Sequence, residues 1–347
     1  MPKPIVTGLL SYGMSGRVFH APFLTTNAGF ILKAVVERHE KKAGLRYPDL
    51  RSYDSFEELL NDDEIELIVI NTPNNTHFDF SVRALHAGKN VLIEKPAAVT
   101  SREVKSLFEL GRTLHLKVMI FQNRRYISDY LSVKKVIESG RLGNLIEVHF
   151  RMDRYRMAIG NKQFKETKEI PGNGLLYDLG SHLVDGIISL FGKPLSYEKT
   201  TAAHRPGSQV DDYFNFHLKY PDQLNVYLTS GLLIAEPEHG FVVHGTLGSF
   251  LKMRTDVQEA QLTDGMLPVN AGFGLEPEGS EGKLVIMETN SQKTIEWLSA
   301  PKGAYHSLFD AVYQTICYQK LFPILEEQII WQLEMLESFP APANSPV

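Results

Sequence analysis

The chain has 347 residues, of which 43% are hydrophobic and 22% are charged, and its net charge at pH 7 is -5. This length predicts two globular domains, and the composition excludes an extensively disordered protein. The slight acidity argues against nucleic acid or an anionic membrane as a partner. Met1 to Leu10 lacks the apolar stretch of a secretion signal, and no apolar run approaches the roughly 20 residues of a membrane helix. The single cysteine, Cys317, excludes an internal disulfide and fits a cytoplasmic setting.

The first predicted element is a strand, turn and helix in the order that a dinucleotide site requires. Apolar residues 5–10 predict a buried strand that ends in Ser11-Tyr12-Gly13-Met14-Ser15-Gly16, after which a helix is expected. Gly13 would let the backbone approach a pyrophosphate, and Gly16 would let the helix pack closely on the strand. Ser11 stands at the first glycine of the G-x-G-x-x-G fingerprint, so the match is imperfect.

The next predicted strand, 30–36, ends at Glu37, 21 residues after Gly16. An acid at this spacing can accept hydrogen bonds from the ribose hydroxyls of NAD and would repel the 2′-phosphate of NADP. The guanidinium of Arg38 could instead stack on adenine or pair with that phosphate, and both residues could also be a solvated strand end. We therefore expect NAD or NADP as the cofactor, with a slight lean to NAD.

Further strands and helices alternate along the first half of the chain. Ser55 and Thr100, each with a glutamate three residues later, predict the starts of two helices. A buried strand at 65–70 precedes another group of residues expected to line the cofactor cleft, namely Thr72, Pro73, Asn74 and His77. A strand at 117–121 closes the predicted sheet. Repeated βα units of this kind predict a parallel, doubly wound sheet.

Residues 91–93 predict a strand buried on both faces, and Glu94-Lys95-Pro96 follows at once. Pro96 cannot continue a sheet ladder and holds Lys95 in an extended conformation. Lys95 is therefore expected at the carboxyl end of a strand, where ligands of open α/β sheets bind. We predict that Glu94 and Lys95 both contact the cofactor and that Lys95 points into the cofactor cleft.

The second half has a different pattern. A helix is predicted at 128–138, and apolar residues then alternate with polar ones at 146–152, as in a sheet that packs on one face. Similar runs near 211–220, 224–231, 241–254 and 283–298 predict one large, mostly antiparallel sheet whose other face is free to meet a second subunit. Residues 256–282 are interpreted as a long loop, and 340–347 as a tail.

One predicted helix in this half carries polar residues on an otherwise apolar sequence. Asp178, His182 and Asp185 follow a Gly-Asn-Gly turn at i, i+4 and i+7, which predicts one shared and covered face. A partly buried histidine near two carboxylates is a candidate proton acceptor, although an isolated histidine of this kind is usually a satisfied core residue. A metal site is disfavoured because no second histidine is placed to join the group.

These motifs together resemble the glucose-fructose oxidoreductase/inositol dehydrogenase family, Gfo/Idh/MocA, and within it the branch that contains the scyllo-inositol dehydrogenases. The motifs that carry the resemblance are Gly13-Met14-Ser15-Gly16, Thr72-Pro73-Asn74 with His77, Glu94-Lys95-Pro96, Gln122-Asn123-Arg124-Arg125, Gly174 to Asp178 and Gly180 to Asp185. Gln163-Phe164 departs from the tryptophan-arginine pair that this branch often carries.

The resemblance implies a Rossmann domain at 1–123 and a substrate-binding α/β domain at 124–347, assembled through the open sheet as a homodimer or homotetramer. It also implies NAD(P)-dependent oxidation of a secondary alcohol on a sugar or cyclitol. Lys95 would contact both nicotinamide and the reacting hydroxyl, and His182 would be the acid/base. Asp178 would bind the substrate or orient His182.

Four further residues are candidate substrate contacts: Asn123, Arg154, Tyr155 and Tyr305. The hypothesis requires that Lys95 and His182 act on the same carbon. Two alternatives stay open from sequence alone. A non-catalytic NAD(P)-binding sensor would not need Lys95, Asp178 and His182 together, and an NAD-assisted glycoside hydrolase would release sugar without net NADH.

Overall fold

The computed structural model describes residues 3–160 and 166–338. The chain divides into two compact units of three segments each. Unit 1 is made of Met1–Tyr126, Val257–Gly274 and Gly303–Ile330, and unit 2 of Ile127–Asp256, Leu275–Lys302 and Trp331–Val347. The predicted tail at 340–347 and the pair Gln163-Phe164 lie outside the described residues. The proposed functional boundary after residue 123 stays a prediction.

The secondary structure has the following bounds. The strands are β1 Ile5–Leu9, β2 Phe30–Val36, β3 Arg51–Tyr53, β4 Leu67–Ile70, β5 Asn90–Glu94, β6 Val118–Phe121, β7 Leu145–Arg151, β8 Ser196–Ala202, β9 Tyr213–Lys219, β10 Asn225–Gly231, β11 Phe241–Gly245, β12 Gly248–Lys252, β13 Gly282–Met287 and β14 Lys293–Leu298. The α-helices are α1 Ala21–Thr26, α2 Phe56–Leu60, α3 His77–His86, α4 Ser101–Thr113, α5 Ser128–Glu138, α6 Ser181–Phe191, α7 Gln258–Thr263, α8 Tyr305–Tyr318 and α9 Glu326–Glu337.

Unit 1 contains a parallel sheet of six strands in the order β3-β2-β1-β4-β5-β6. The apolar residues of β4 and β6 are buried throughout, as expected for strands covered on both faces. The strand order reverses between β1 and β4, which opens a crevice at the carboxyl ends of these strands. This arrangement confirms the predicted Rossmann-like fold.

The predicted helix starts in unit 1 have the expected caps. Thr100 accepts a hydrogen bond from the backbone N–H of Glu103 at 3.2 Å, and the Glu103 carboxylate accepts from the backbone N–H of Thr100 at 2.9 Å. Ser55 accepts from the N–H of Glu58 at 3.2 Å. Each side chain satisfies an N–H group that a helix leaves unpaired at its first turn.

The core of unit 1 includes an aromatic cluster around Phe309 of α8. The Phe309 ring stacks on Phe23 of α1 at 5.1 Å and lies 5.6 Å from Phe121 of β6. A segment remote in sequence therefore completes the core around the parallel sheet. The prediction of a long loop at 256–282 is corrected in the same region, because α7 lies within it and belongs to unit 1.

Unit 2 contains an eight-stranded sheet in the order β14-β13-β12-β11-β7-β10-β9-β8. β7 and β10 are parallel and the other neighbouring pairs are antiparallel, which confirms the predicted mostly antiparallel sheet. Phe150 and Phe216 are buried on its inner face. Ile146, which the alternation predicts to face inward, is 51% exposed because it lies at the start of β7, outside the covered region.

Helices α5 and α6 pack together in unit 2. The Tyr130 hydroxyl on α5 donates to the Gly186 carbonyl on α6 at 3.2 Å, and its ring meets Phe150 edge-on at 6.4 Å. None of the helices in the described ranges is both long and apolar enough to cross a bilayer.

Candidate functional site

The carboxyl edge of the parallel sheet brings three predicted cofactor-binding segments together. β1, β4 and β5 are neighbours, so the residues that follow them lie side by side. Asn71, after β4, donates its amide to the Ser11 carbonyl after β1 at 2.8 Å. Ser15 donates its hydroxyl to Glu94 at the end of β5 at 2.5 Å. These bonds join the glycine turn to both neighbouring strand ends.

The glycine turn is packed on its inner side and open on its outer side. A Cβ on Gly16 would lie 2.1 Å from the Ser11 carbonyl oxygen, so no side chain fits there. Gly13 and Met14 are exposed, and helical turns begin at Met14. The Ser11 hydroxyl accepts the N–H of Gly13 at 3.2 Å and so supports the turn without the usual first glycine. An exposed glycine followed by the first N–H groups of a helix fits a dinucleotide pyrophosphate.

Glu94 connects the end of β5 to the glycine turn and to the helical segment that follows it. Its carboxylate accepts from Ser15 and from His20 Nε2 at 2.9 Å, so it is a structural acceptor rather than a free cofactor contact. Burial alone would raise the pKa of Glu94. The hydrogen bonds from His20 and Ser15, together with the charge of Lys95, outweigh burial and hold that pKa below its usual value.

His77 links the backbone segments that follow β4 and β5. Its Nδ1 lies 2.8 Å from the Pro96 carbonyl oxygen and its Nε2 lies 2.8 Å from the Thr72 carbonyl oxygen. The side chain is buried, and burial lowers its pKa. His77 therefore fixes the backbone beside half-buried Lys95 from within the protein, which corrects the expectation of a direct cofactor contact. The Lys95–Pro96 peptide bond is cis.

Glu37 and Arg38 have different environments at the end of β2. Glu37 is buried, with 7% of the residue exposed. It accepts from the backbone N–H of Lys42 at 2.8 Å, the N–H of Ala43 at 3.1 Å and the Ser52 hydroxyl at 2.8 Å. Both carboxylate oxygens are thus engaged within the protein, whereas Arg38 is exposed. The structure therefore does not support the ribose-binding role of Glu37 on which the lean to NAD was based.

In unit 2, a turn of π-helix at Leu176–Gly180 leads directly into α6. Asp178 is exposed, His182 is 8% exposed and Asp185 is 1% exposed. The predicted single covered face is therefore corrected, because the wider π turn shifts Asp178 relative to the two residues on α6. Asp178 and His182 are four residues apart in the chain, and a carboxylate and an imidazole are the groups that most often transfer protons in enzymes.

Asp211 positions the start of this helical segment, and sequence analysis missed it. Its Oδ2 accepts the N–H of Leu176 at 2.6 Å. Gly174 has a φ of 98°, and a Cβ there would lie 2.2 Å from Asp211 Oδ1. Burial raises the pKa of Asp211 to about 6. No local pattern links a residue of the β8–β9 connection to a helix so far away in sequence.

The four candidate substrate contacts have unequal exposure. Asn123 is 6% exposed just after β6 in unit 1, and Arg154 and Tyr155 are exposed after β7 in unit 2. Tyr305 is fully buried in unit 1, 6.2 Å from both Phe19 and Phe23, so it is corrected to a core residue. Within the described ranges, no group of three or more His, Cys, Asp or Glu side chains is arranged to hold a metal ion.

The parallel sheet, its glycine turn and the polar strand ends define an oxidoreductase with an NAD-binding Rossmann domain. The model of the oxidoreductase family with an NAD-binding Rossmann fold matches residues 6–122, and that of the GFO/IDH/MocA C-terminal domain matches residues 130–251. The chain belongs to the Gfo/Idh/MocA family of oxidoreductases.

Individual relatives span nearly the whole chain. Uncharacterized oxidoreductase C115.03 of Schizosaccharomyces pombe is 38% identical and covers 96% of both chains. The scyllo-inositol 2-dehydrogenase (NADP(+)) IolW of Bacillus subtilis is 29% identical over 96% of this chain and 92% of its own. The crystal structure of an oxidoreductase from Bacillus cereus is 33% identical, with a TM-score of 0.88 over 98% of this chain and 97% of that one.

Proposed function

We propose that the protein transfers a hydride between the nicotinamide of NAD(P) and a secondary alcohol or ketone carbon of a polyol, inositol or sugar. The observation that carries this proposal is the anchoring of the β5 end beside Lys95. Glu94 ties that end to the glycine turn, and His77 ties it to β4. Similarity to a scyllo-inositol 2-dehydrogenase supports a polyhydroxylated ring as the substrate class.

The proposed roles follow from where the alcohol proton goes and where negative charge develops during the reaction. The bound nicotinamide supplies or accepts the hydride. When the alcohol is oxidised, its proton leaves for His182, and the Lys95 ammonium stabilises the alkoxide that develops on the same oxygen. Asp178 orients His182 or accepts a hydrogen bond from a neighbouring substrate hydroxyl. In the reductive direction the same proton returns from His182 to the carbonyl oxygen.

The direct test is a paired screen of NAD and NADP against inositols, aldoses and deoxysugars, followed by variants on the best substrate. Lys95→Ala should lower kcat by about 100-fold or more, because it removes charge stabilisation in the transition state. Its cofactor Kd should change much less. Lys105→Ala, an exposed lysine on α4, is the matched control and should keep wild-type kcat.

Several outcomes would contradict the proposal. Near-full kcat in Lys95→Ala would remove this lysine from the mechanism. Tight cofactor binding without turnover on any substrate would favour a non-catalytic sensor. Release of sugar from a glycoside without net NADH would favour NAD-assisted hydrolysis.

A further inference from the structure

The segments that follow β2 and β3 contain acidic residues whose carboxylates are already engaged within the protein. Glu37 is buried, and its carboxylate accepts two backbone N–H groups and a hydroxyl. Glu40 forms an ion pair with Lys42, and Asp54 forms one with Lys41 at 2.5 Å. The carboxylates of these loops therefore have little remaining capacity to accept hydrogen bonds from ribose hydroxyls.

Three arginines of this region are exposed to solvent. Across 3–160 and 166–338, the side chains of Arg17 and Arg38 form no hydrogen bond or ion pair. Arg46 is also exposed, with its guanidinium 5.9 Å from the Tyr47 ring centre. Burial raises the pKa of Tyr12 in the glycine turn, Tyr47 and the charge of Glu37 add to that rise, and the charges of Arg46 and Arg17 oppose it. Arg46 and Arg17 thus lie close enough to the turn for their charges to act there.

The chemistry of these residues suits a dianion better than a pair of ribose hydroxyls. A planar guanidinium can pair with a phosphate through two hydrogen bonds and can also stack on adenine. An arginine at the end of the second strand is the alternative to an acid in dinucleotide sites, and it accommodates the 2′-phosphate. Glu37 occupies the acid's position in sequence, but its oxygens are engaged elsewhere.

We propose that Arg38, with Arg17 and Arg46 nearby, forms a 2′-phosphate subsite and makes NADP(H) the preferred cofactor. In this arrangement Glu37 is a positioning residue, since it anchors the backbone of Lys42 and Ala43 on the loop that carries the cations. The inference rests on the proposed function and specifies which form of the cofactor this site takes. It replaces the lean to NAD that the sequence position of Glu37 suggested.

The test measures binding without substrate, so that it is independent of turnover. NADPH and NADH are titrated into the full-length protein, and Kd is read from the fluorescence of the reduced nicotinamide. NADPH should bind at least about tenfold more tightly than NADH, since hydrogen bonds between charged groups contribute this much. The advantage should shrink as salt is raised from 0.05 to 0.5 M, because the arginines are exposed.

Variants assign the effect to a residue. Arg38→Gln should remove most of the NADPH advantage and leave the Kd for NADH within about twofold. Arg112→Gln is the matched control, since Arg112 is an exposed arginine at the end of α4, which leads into the amino end of β6 and so lies away from the cofactor edge. It should leave both Kd values unchanged. A thermal melt of each variant checks that it is folded.

Equal or tighter binding of NADH by the wild-type protein would overturn the inference, and this comparison needs no variant. Equal weakening of both cofactors in Arg38→Gln would overturn the assignment to a 2′-phosphate subsite. Failure of both cofactors to bind would overturn the proposed function as well. These results are distinct, so the two proposals can fail separately.

Discussion

Among single residues, Glu94 shows how one side chain prepares the cofactor edge. Its side chain is 13% exposed, and it receives hydrogen bonds from two residues that follow β1. Sequence position suggested that Glu94 would touch the cofactor, since it directly precedes Lys95. The contacts show instead that the acid fixes the turn, which leaves Lys95 as the charged group of this motif that can face a ligand.

Replacing Glu94 by Gln should destabilise the protein by about 1–2 kcal/mol at pH 7, because charge-assisted hydrogen bonds become neutral ones. The folded-state pKa of Glu94 is below its ordinary value. Its contribution to stability is therefore present above about pH 4.3 and is lost as the pH falls through the folded pKa. Urea unfolding followed by circular dichroism at pH 7, 5 and 3 measures the difference between wild type and variant.

The difference between wild type and Glu94→Gln should shrink toward pH 3. Glu109→Gln, an exposed acid on α4, should have almost no effect at any of these pH values. A Glu94→Gln protein as stable as wild type at pH 7 would show that the carboxylate does not hold the turn. A difference that grows on acidification would contradict the sign of the pKa shift.

Among the helices and strands, the sequence predicted those whose start or extent depends on neighbouring residues in the chain. The capping box at Thr100 and the cap at Ser55 set helix starts, and the apolar runs of β2 and α5 gave their bounds closely. The three-residue strand β3 was missed because Arg-Ser-Tyr carries no apolar run. The π turn at Leu176–Gly180 was missed because its sequence also suits an α-helix, and its extra residue changes which side chains share a face.

The helical segment that carries His182 yields a prediction through Asp211. Burial raises the folded-state pKa of Asp211 to about 6, so the charged form is disfavoured in the fold. The associated stability is present below about pH 4 and is lost as the pH rises through 6. Asp211→Asn keeps an acceptor for the Leu176 N–H without the buried charge. It should therefore be more stable than wild type by about 1–3 kcal/mol at pH 8 and close to it at pH 4.5.

Tryptophan fluorescence is a suitable probe for Asp211→Asn, because Trp297 and Trp331 both belong to unit 2. Urea midpoints at the two pH values give the comparison. Asp222→Asn, an exposed acid of the same unit, serves as the control. Destabilisation of Asp211→Asn at both pH values would mean that the Leu176 hydrogen bond requires the carboxylate charge.

At the scale of the whole molecule, the alternation of strands and helices was enough to predict a parallel sheet followed by a mostly antiparallel one. The composition of the two units was not predictable in the same way. Residues 303–330 belong to unit 1 through contacts such as Phe309 with Phe23, which join positions far apart in the chain. Tyr305 was misassigned for that reason, since its sequence neighbourhood does not reveal the core that surrounds it.

The open face of the eight-stranded sheet carries a row of side chains in cross-strand register. The rings of His149 and His217 stack on Tyr227 at 4.8 and 4.6 Å. The complete row, from β14 to β8, is Trp297, Lys283, Leu251, Val242, His149, Tyr227, His217 and Glu198. Aromatic and aliphatic side chains make up most of this row, and Trp297 at its β14 end is 65% exposed.

We propose that this row is the contact with a second copy of the chain, as expected for an aromatic and aliphatic surface of this kind. Light scattering coupled to size exclusion should give the mass of a dimer or tetramer for the wild-type protein. Tyr227→Lys should shift the mass toward a monomer, because a lysine between the two histidine rings of the row would be buried in the contact without a counter-charge. Leu321→Lys changes a leucine that is 83% exposed in unit 1, and it should keep the wild-type mass. A monomeric wild-type protein, or an unchanged mass for a folded Tyr227→Lys, would exclude this face as the subunit contact.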